Sequence, residues 1–195
     1  MIRSEKTRKL IIKKTAPIFN KKGYTGTHLS DLTKATGLTK GSIYGNFENK
    51  NEVALEAFRF NYSQLLNKIN QRIQSVNKAD EKLLAFLQYY KDEYQTIFNR
   101  GGCAILNTAI DADDGNKLLR SEVVKALSNW KQRLNNIIEE GIANNQIQKV
   151  DSHKLVNQII ALIEGSIMMA KTMNEPKILI DNIRLLENKI KQLKP

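Results

Sequence analysis

Lys40, Gly41, Ser42, Tyr44, Gly45, Asn46 and Lys50 lie close together in the chain. Their side chains suit a polyanion. Lysines supply positive charge, and Ser, Tyr and Asn supply hydrogen bonds for phosphate oxygens or base edges. The glycines supply bare backbone. On a helix opening at Lys40, a rotation of 100° per residue sets Gly41 and Gly45 opposite Ile43 and Phe47, with Ser42 and Tyr44 flanking them. A glycine in an exposed helix costs about 1 kcal/mol against alanine. Stability therefore gives no reason for two of them, whereas close approach to a sugar-phosphate wall or a base edge does.

The elements that must hold these groups can be read outward from them. Thr27 is positioned to cap a helix on which Leu29, Leu32 and Ala35 make one apolar face. Gly37 tolerates the left-handed conformation that ends a helix, Leu38 plugs the turn, and Thr39 caps a second helix. Ile43 and Phe47, four apart, bury against Leu29 and Leu32. Two short helices around a tight turn make a helix-turn-helix, whose second helix enters the DNA major groove. A third element opens at Asn49, with Glu52 three residues on as in a capping box. Lys50 sits in its first turn, where the helix dipole disfavours a cation unless a phosphate binds there. A solvated surface lysine is the plainer reading of Lys50 taken alone.

Thr27, Leu32, Ala35, Gly37, Ser42, Ile43, Tyr44, Phe47 and Lys50, preceded by Ile12, Ala16, Phe19, Gly23 and Tyr24, resemble the N-terminal signature of the TetR (tetracycline repressor) family over roughly residues 8–58. The resemblance implies that Lys40, Gly41, Ser42, Tyr44, Gly45 and Asn46 occupy the recognition helix, with Thr39 at its start. It also implies that Thr27 and Lys50 contact phosphates. Asn46 departs from the family's frequent histidine, and Gly45 from a usually large side chain. The implied architecture is all-α: a helix-turn-helix DNA-binding domain over residues 1–48 and a larger helical ligand-binding and dimerisation domain over 49–195, with about nine helices.

Composition agrees with a polyanion partner. Residues 1–50 hold eleven Lys or Arg against three acids, so +8 of the net charge of +11 falls there. There is no sustained period-two alternation, and prolines and glycines are few, which predicts helices throughout. The opening Met1-Ile2-Arg3-Ser4-Glu5-Lys6 does not read as a signal peptide. The longest apolar run, Val156–Ala170, is interrupted by Asn157, Gln158 and Glu164 and is too polar to span a bilayer. One cysteine excludes an internal disulfide framework. A cytoplasmic protein is expected.

After the motif, apolar stripes predict helices near Asn49–Val76, Asp80–Phe98, Cys103–Ile110, Leu118–Asn144, Ser152–Met173 and Pro176–Leu193. The eighth is apolar around most of its circumference, so one side is available to a partner subunit. The resemblance implies a homodimer through the eighth and ninth helices. It also raises a ligand cavity above the plain reading of core stripes, with Phe58, Tyr62, Phe86, Tyr90, Tyr94, Cys103, Trp130, Met168 and Met169 as candidate lining.

Other constellations fail on inspection. His28 and His153 have no metal-ligand partner at helical spacing and form no catalytic set. Asp111, Asp113 and Glu122 echo a calcium loop, but Gly115 is one place too early, so an acidic, solvated connector is expected. Cys103 at a helix start is either a reactive thiol or a small core residue, and the core reading is preferred. Neither metal nor cofactor is expected. The sequence thus predicts a DNA-binding transcriptional regulator, a repressor released by a small-molecule effector. An architectural or partner-controlled DNA-binding protein without an effector is the second reading, and an enzyme with an incidental helix-turn-helix a poorly supported third.

Overall fold

A computed structural model describes residues 3–195, and the part of the opening segment at Met1 and Ile2 lies outside them. Among the described residues the chain forms nine helices and no strand. They are α1 (Arg3–Lys22), α2 (Leu29–Thr36), α3 (Lys40–Tyr44), α4 (Lys50–Ile73), α5 (Ala79–Asn99), α6 (Ala104–Ala112), α7 (Lys117–Ala143), α8 (Ser152–Thr172) and α9 (Lys177–Lys191). The all-α expectation holds, and from the fourth helix on the ends fall within three residues of those read from the apolar stripes. None of these helices is long and apolar enough to cross a membrane.

The chain divides into two compact units. One comprises the residues up to Gln64 with Arg100–Ala126, the other Leu65–Asn99 with Leu127–Pro195. The first unit is built around the helix-turn-helix. Ile11, Ala16 and Phe19 of α1, Leu32 of α2, Ile43 of α3 and Val53 and Ala57 of α4 share one core with Phe47. Ala112 of α6 and Leu119 of α7 belong to that same core. This unit thus extends past the expected division at residue 48 and takes in α6 and the start of α7.

In the second unit, α9 packs on α5 and α8. Leu83, Phe86 and Leu87 of α5, Ile159, Ile163 and Ile167 of α8 and Leu179, Ile183 and Leu186 of α9 are all buried. Phe86 meets the rings of Tyr90 and Trp130 edge to face at centroid distances of 5.4 and 6.0 Å. On α8 and α9 a different face stays open in the single chain, with Met168 47 %, Met169 45 % and Leu185 61 % exposed.

Candidate nucleic-acid interface

The recognition unit is shaped by local chemistry. Gly37 ends α2 at φ +71°, and its N–H donates to the Thr33 carbonyl at 2.9 Å. Two residues later Thr39 caps α3, its hydroxyl accepting from the Ser42 N–H at 3.2 Å. Leu32 and Ile43 are fully buried between the two helices. What faces outward from α3 is Lys40 and Gly41, both exposed, and Ser42, half-buried. Tyr44 packs part of its ring on the core.

Gly41 is the informative residue. Its backbone is ordinary right-handed helix, and a Cβ added there would meet nothing nearer than the Thr39 hydroxyl at 4.0 Å. Nothing inside the protein asks for glycine. The surface of α3 is therefore left bare toward whatever docks on it.

The structure revises several expected details. The N-cap of α2 is His28, whose N–H donates to the Asp31 carboxylate at 2.9 Å. Thr27 lies one residue earlier, fully buried, with its hydroxyl donating to the Gly23 carbonyl at 2.6 Å. It therefore neither caps the helix nor offers a surface to phosphate. The expected recognition helix, α3, ends at Tyr44, so Gly45 and Asn46 lie in the turn that follows and not on the helix. The Asn46 amide folds back to donate to the Ser42 carbonyl at 2.8 Å, closing that turn. Phe47 is buried as expected, but from beyond the helix.

Asn49 accepts from the Glu52 N–H at 3.1 Å and so opens α4 as predicted. The Glu52 carboxylate reaches instead to the Glu48 N–H and to Arg8, which hold it below the ordinary carboxylate range. The Lys50 ammonium lies 4.2 Å from the centre of the Tyr24 ring. Partial burial lowers the pKa of Lys50, opposed by the negative charge of Asp111.

Residues that the sequence did not single out hold this surface in place. Arg8 of α1 donates to the Asn46 carbonyl at 2.6 Å, pairs with Glu52 at 2.7 Å, and lies over the Phe47 ring at 4.1 Å. Lys22 pairs with Asp31 at 2.7 Å, which lowers the pKa of the carboxyl. Asp111 is no solvated connector. It is part of α6, and its carboxylate accepts the backbone N–H groups of Tyr24 and Thr25 ahead of α2. Asn107 donates to the Asn20 carbonyl at 2.9 Å and to Gly101 at 3.0 Å, while Asn20 donates back to Arg100 at 2.7 Å. Gly101 has φ +106°, and a Cβ there would lie 2.9 Å from the Lys21 side chain, so only glycine lets this turn lie against α1.

The candidate ligand residues do not gather in one place. Phe86 and Trp130 line a cleft of about 280 Å³ in the second unit, with Leu66, Ile69, Arg133 and Lys82 among its other walls. Tyr90 is buried behind Phe86, and Tyr94 packs against Phe98 at 5.8 Å. Met168 and Met169 lie exposed on α8, away from that lining. Phe58, Tyr62 and Cys103 belong to the first unit. There Phe58 and Cys103 are buried, and the Tyr62 hydroxyl donates to the Ala126 carbonyl at 3.0 Å. A period-3.6 stripe says that an aromatic faces inward but not which of several interior spaces it meets. Among the described residues no group of three or more His, Cys, Asp or Glu side chains is placed to hold a metal.

Residues 11–57 match the family described as bacterial regulatory proteins, tetR family, and residues 79–186 match the tetracyclin repressor-like C-terminal domain. The fold superposes on a TetR-family transcriptional regulator from Cytophaga hutchinsonii with a TM-score of 0.94. The two are 39% identical, over 100% of this chain and 98% of that one. A TetR regulator from Chloroflexus aurantiacus J-10-fl gives a TM-score of 0.90 at 34% identity, covering 98% of each chain. In sequence the chain is 24% identical to the HTH-type transcriptional repressor DhaR of Mycobacterium sp. (strain GP1) over 165 residues, 84% of this chain and 82% of that protein.

Proposed function

The chain belongs to the tetR family of bacterial regulatory proteins and is a helix-turn-helix transcriptional regulator, not an enzyme; from that premise we propose that it is a cytoplasmic repressor that binds an inverted-repeat operator as a homodimer and leaves it when a small effector binds. The observation that carries the DNA reading is the outer face of α3, where Lys40 stands beside a Gly41 that the fold does not need. In this reading residues 1–48 contact DNA and 49–195 bind effector and partner. Lys40, Ser42 and Tyr44 address base edges, and Gly41 and Gly45 permit close approach. Thr39 and Lys50 meet phosphates, and Asn46 fixes the turn behind them.

The dimer reading is supported by the open apolar face of α8 and α9, since an isologous contact of that face would bury Met168 and Leu185. The cleft in the second unit favours an effector over the architectural alternative. Selection of bound duplex from a random pool tests the operator. Recovered sites are expected to carry two inverted half-sites centred about 34 Å apart or a multiple of that. Recovery of single half-sites by a monomer would overturn the proposal.

A further inference from the structure

The cleft walled by α4, α5 and α7 has a one-sided chemistry. Its apolar floor comes from residues such as Leu66, Ile69 and Phe86. Its charged lining consists of Lys82 and Arg133, with no Asp or Glu among the lining residues. Among the described residues neither cation has a carboxylate partner. Arg133 is satisfied only by the Asn70 side-chain oxygen, and Lys82 makes no side-chain hydrogen bond. Three cations of the same unit that lie on α4 and α5 are paired, Lys68 with Glu93, Arg72 with Asp92 and Lys91 with Glu187. Two cations without a carboxylate partner beside an apolar floor raise the positive potential of the cleft.

From this we propose that the cleft binds a small amphipathic anion, an apolar body carrying one carboxylate, with the charged end between Lys82 and Arg133. The guanidinium fork suits a planar carboxylate, and the ammonium adds a second charge-assisted contact. A neutral apolar molecule of the same shape fills the floor but leaves both cations unmet. A cation is repelled. The inference rests on the effector reading above for its biological use, but its chemistry is tested apart from it.

The molecule supplies its own detector. Trp130 lines the cleft and is the one tryptophan of the chain. Trp130 is 2 % exposed, and among the described residues its Nε1–H has no hydrogen-bond acceptor. No polar anchor therefore holds the indole, and a molecule seated against it changes its surroundings.

The experiment titrates the full-length protein with 4-phenylbutyrate, 4-phenylbutan-1-ol and 4-phenylbutylamine, reading tryptophan fluorescence. Saturable binding of the carboxylate is expected, with the alcohol about tenfold weaker and the amine weaker still. Lys82→Gln, at a half-buried position, and Arg133→Gln, at an exposed one, should each erase most of the difference between carboxylate and alcohol. Equal or tighter binding of the alcohol or the amine, no binding of any of the three, or a carboxylate preference that survives both substitutions would overturn the inference. The same titration on operator-bound protein separates the two claims. Tight carboxylate binding without DNA release leaves the ligand chemistry standing and sinks the effector reading. Release by the amine in preference to the carboxylate does the reverse.

Discussion

At residue 41 stability and function pull in opposite directions. Because the Gly41 backbone is helical and the space around it is open, Gly41→Ala should raise the unfolding free energy by about 0.5–1 kcal/mol. The added methyl should weaken operator binding, because it stands between α3 and the groove. Denaturant melts and binding isotherms on one variant check both, and an unchanged affinity would remove Gly41 from the interface. Lys50 is expected to act differently. Lys50→Ala should weaken binding to all sequences alike and flatten the dependence of log K on log salt by about one unit. A change of sequence preference with an unchanged slope would reassign it. Residue types and spacing made the Thr39 cap and the outward placing of Lys40 and Gly41 legible. Thr27 was not, because a threonine before a helix reads as a cap whether its hydroxyl meets the helix or, as here, turns back to the Gly23 carbonyl.

At the scale of elements, α6 is fastened to the residues ahead of the helix-turn-helix by side chains that accept or donate to backbone. Asp111→Ala removes the acceptor for the Tyr24 and Thr25 amides. Hydrogen exchange at those two amides should accelerate. Stability should fall by about 1–3 kcal/mol, the magnitude for hydrogen bonds to a charged group and for donors left unsatisfied. Amides that exchange at the wild-type rate would show that the carboxylate does not hold the loop. A second joint ties α4 to α7, where Arg59 of α4 meets Glu122 of α7 at 2.8 Å and holds the carboxyl below its ordinary range. A depressed carboxyl stabilises the fold above its unfolded value, near pH 4.3, and that contribution is lost as pH falls through the folded value. Glu122→Gln should therefore lower the thermal midpoint at pH 7 and by progressively less as the pH approaches 3. The helices themselves were readable because each repeats its apolar residues through several turns. These joints were not, because Asn20 with Asn107 and Tyr24 with Asp111 are more than eighty residues apart and carry no local pattern.

For the whole molecule, the open face of α8 and α9 is the feature on which assembly turns. Leu185→Glu places a charge on a side chain that is 61 % exposed in the single chain, so the fold has little reason to object. If two copies meet there, sedimentation should show monomers, and affinity for a two-half-site operator should fall toward that for one half-site. A variant that remains dimeric would move the interface elsewhere. One further property follows from the place of Cys103. It is the sole sulfhydryl of the chain, 5 % exposed at the start of α6, next to the turn that Asn20 and Asn107 clasp against α1. A thiol reagent reaches it only when that clasp opens, so the modification rate of the native protein is a clock for one local opening event. If operator DNA holds residues 1–48 as proposed, the ticking of that clock should slow when DNA is bound.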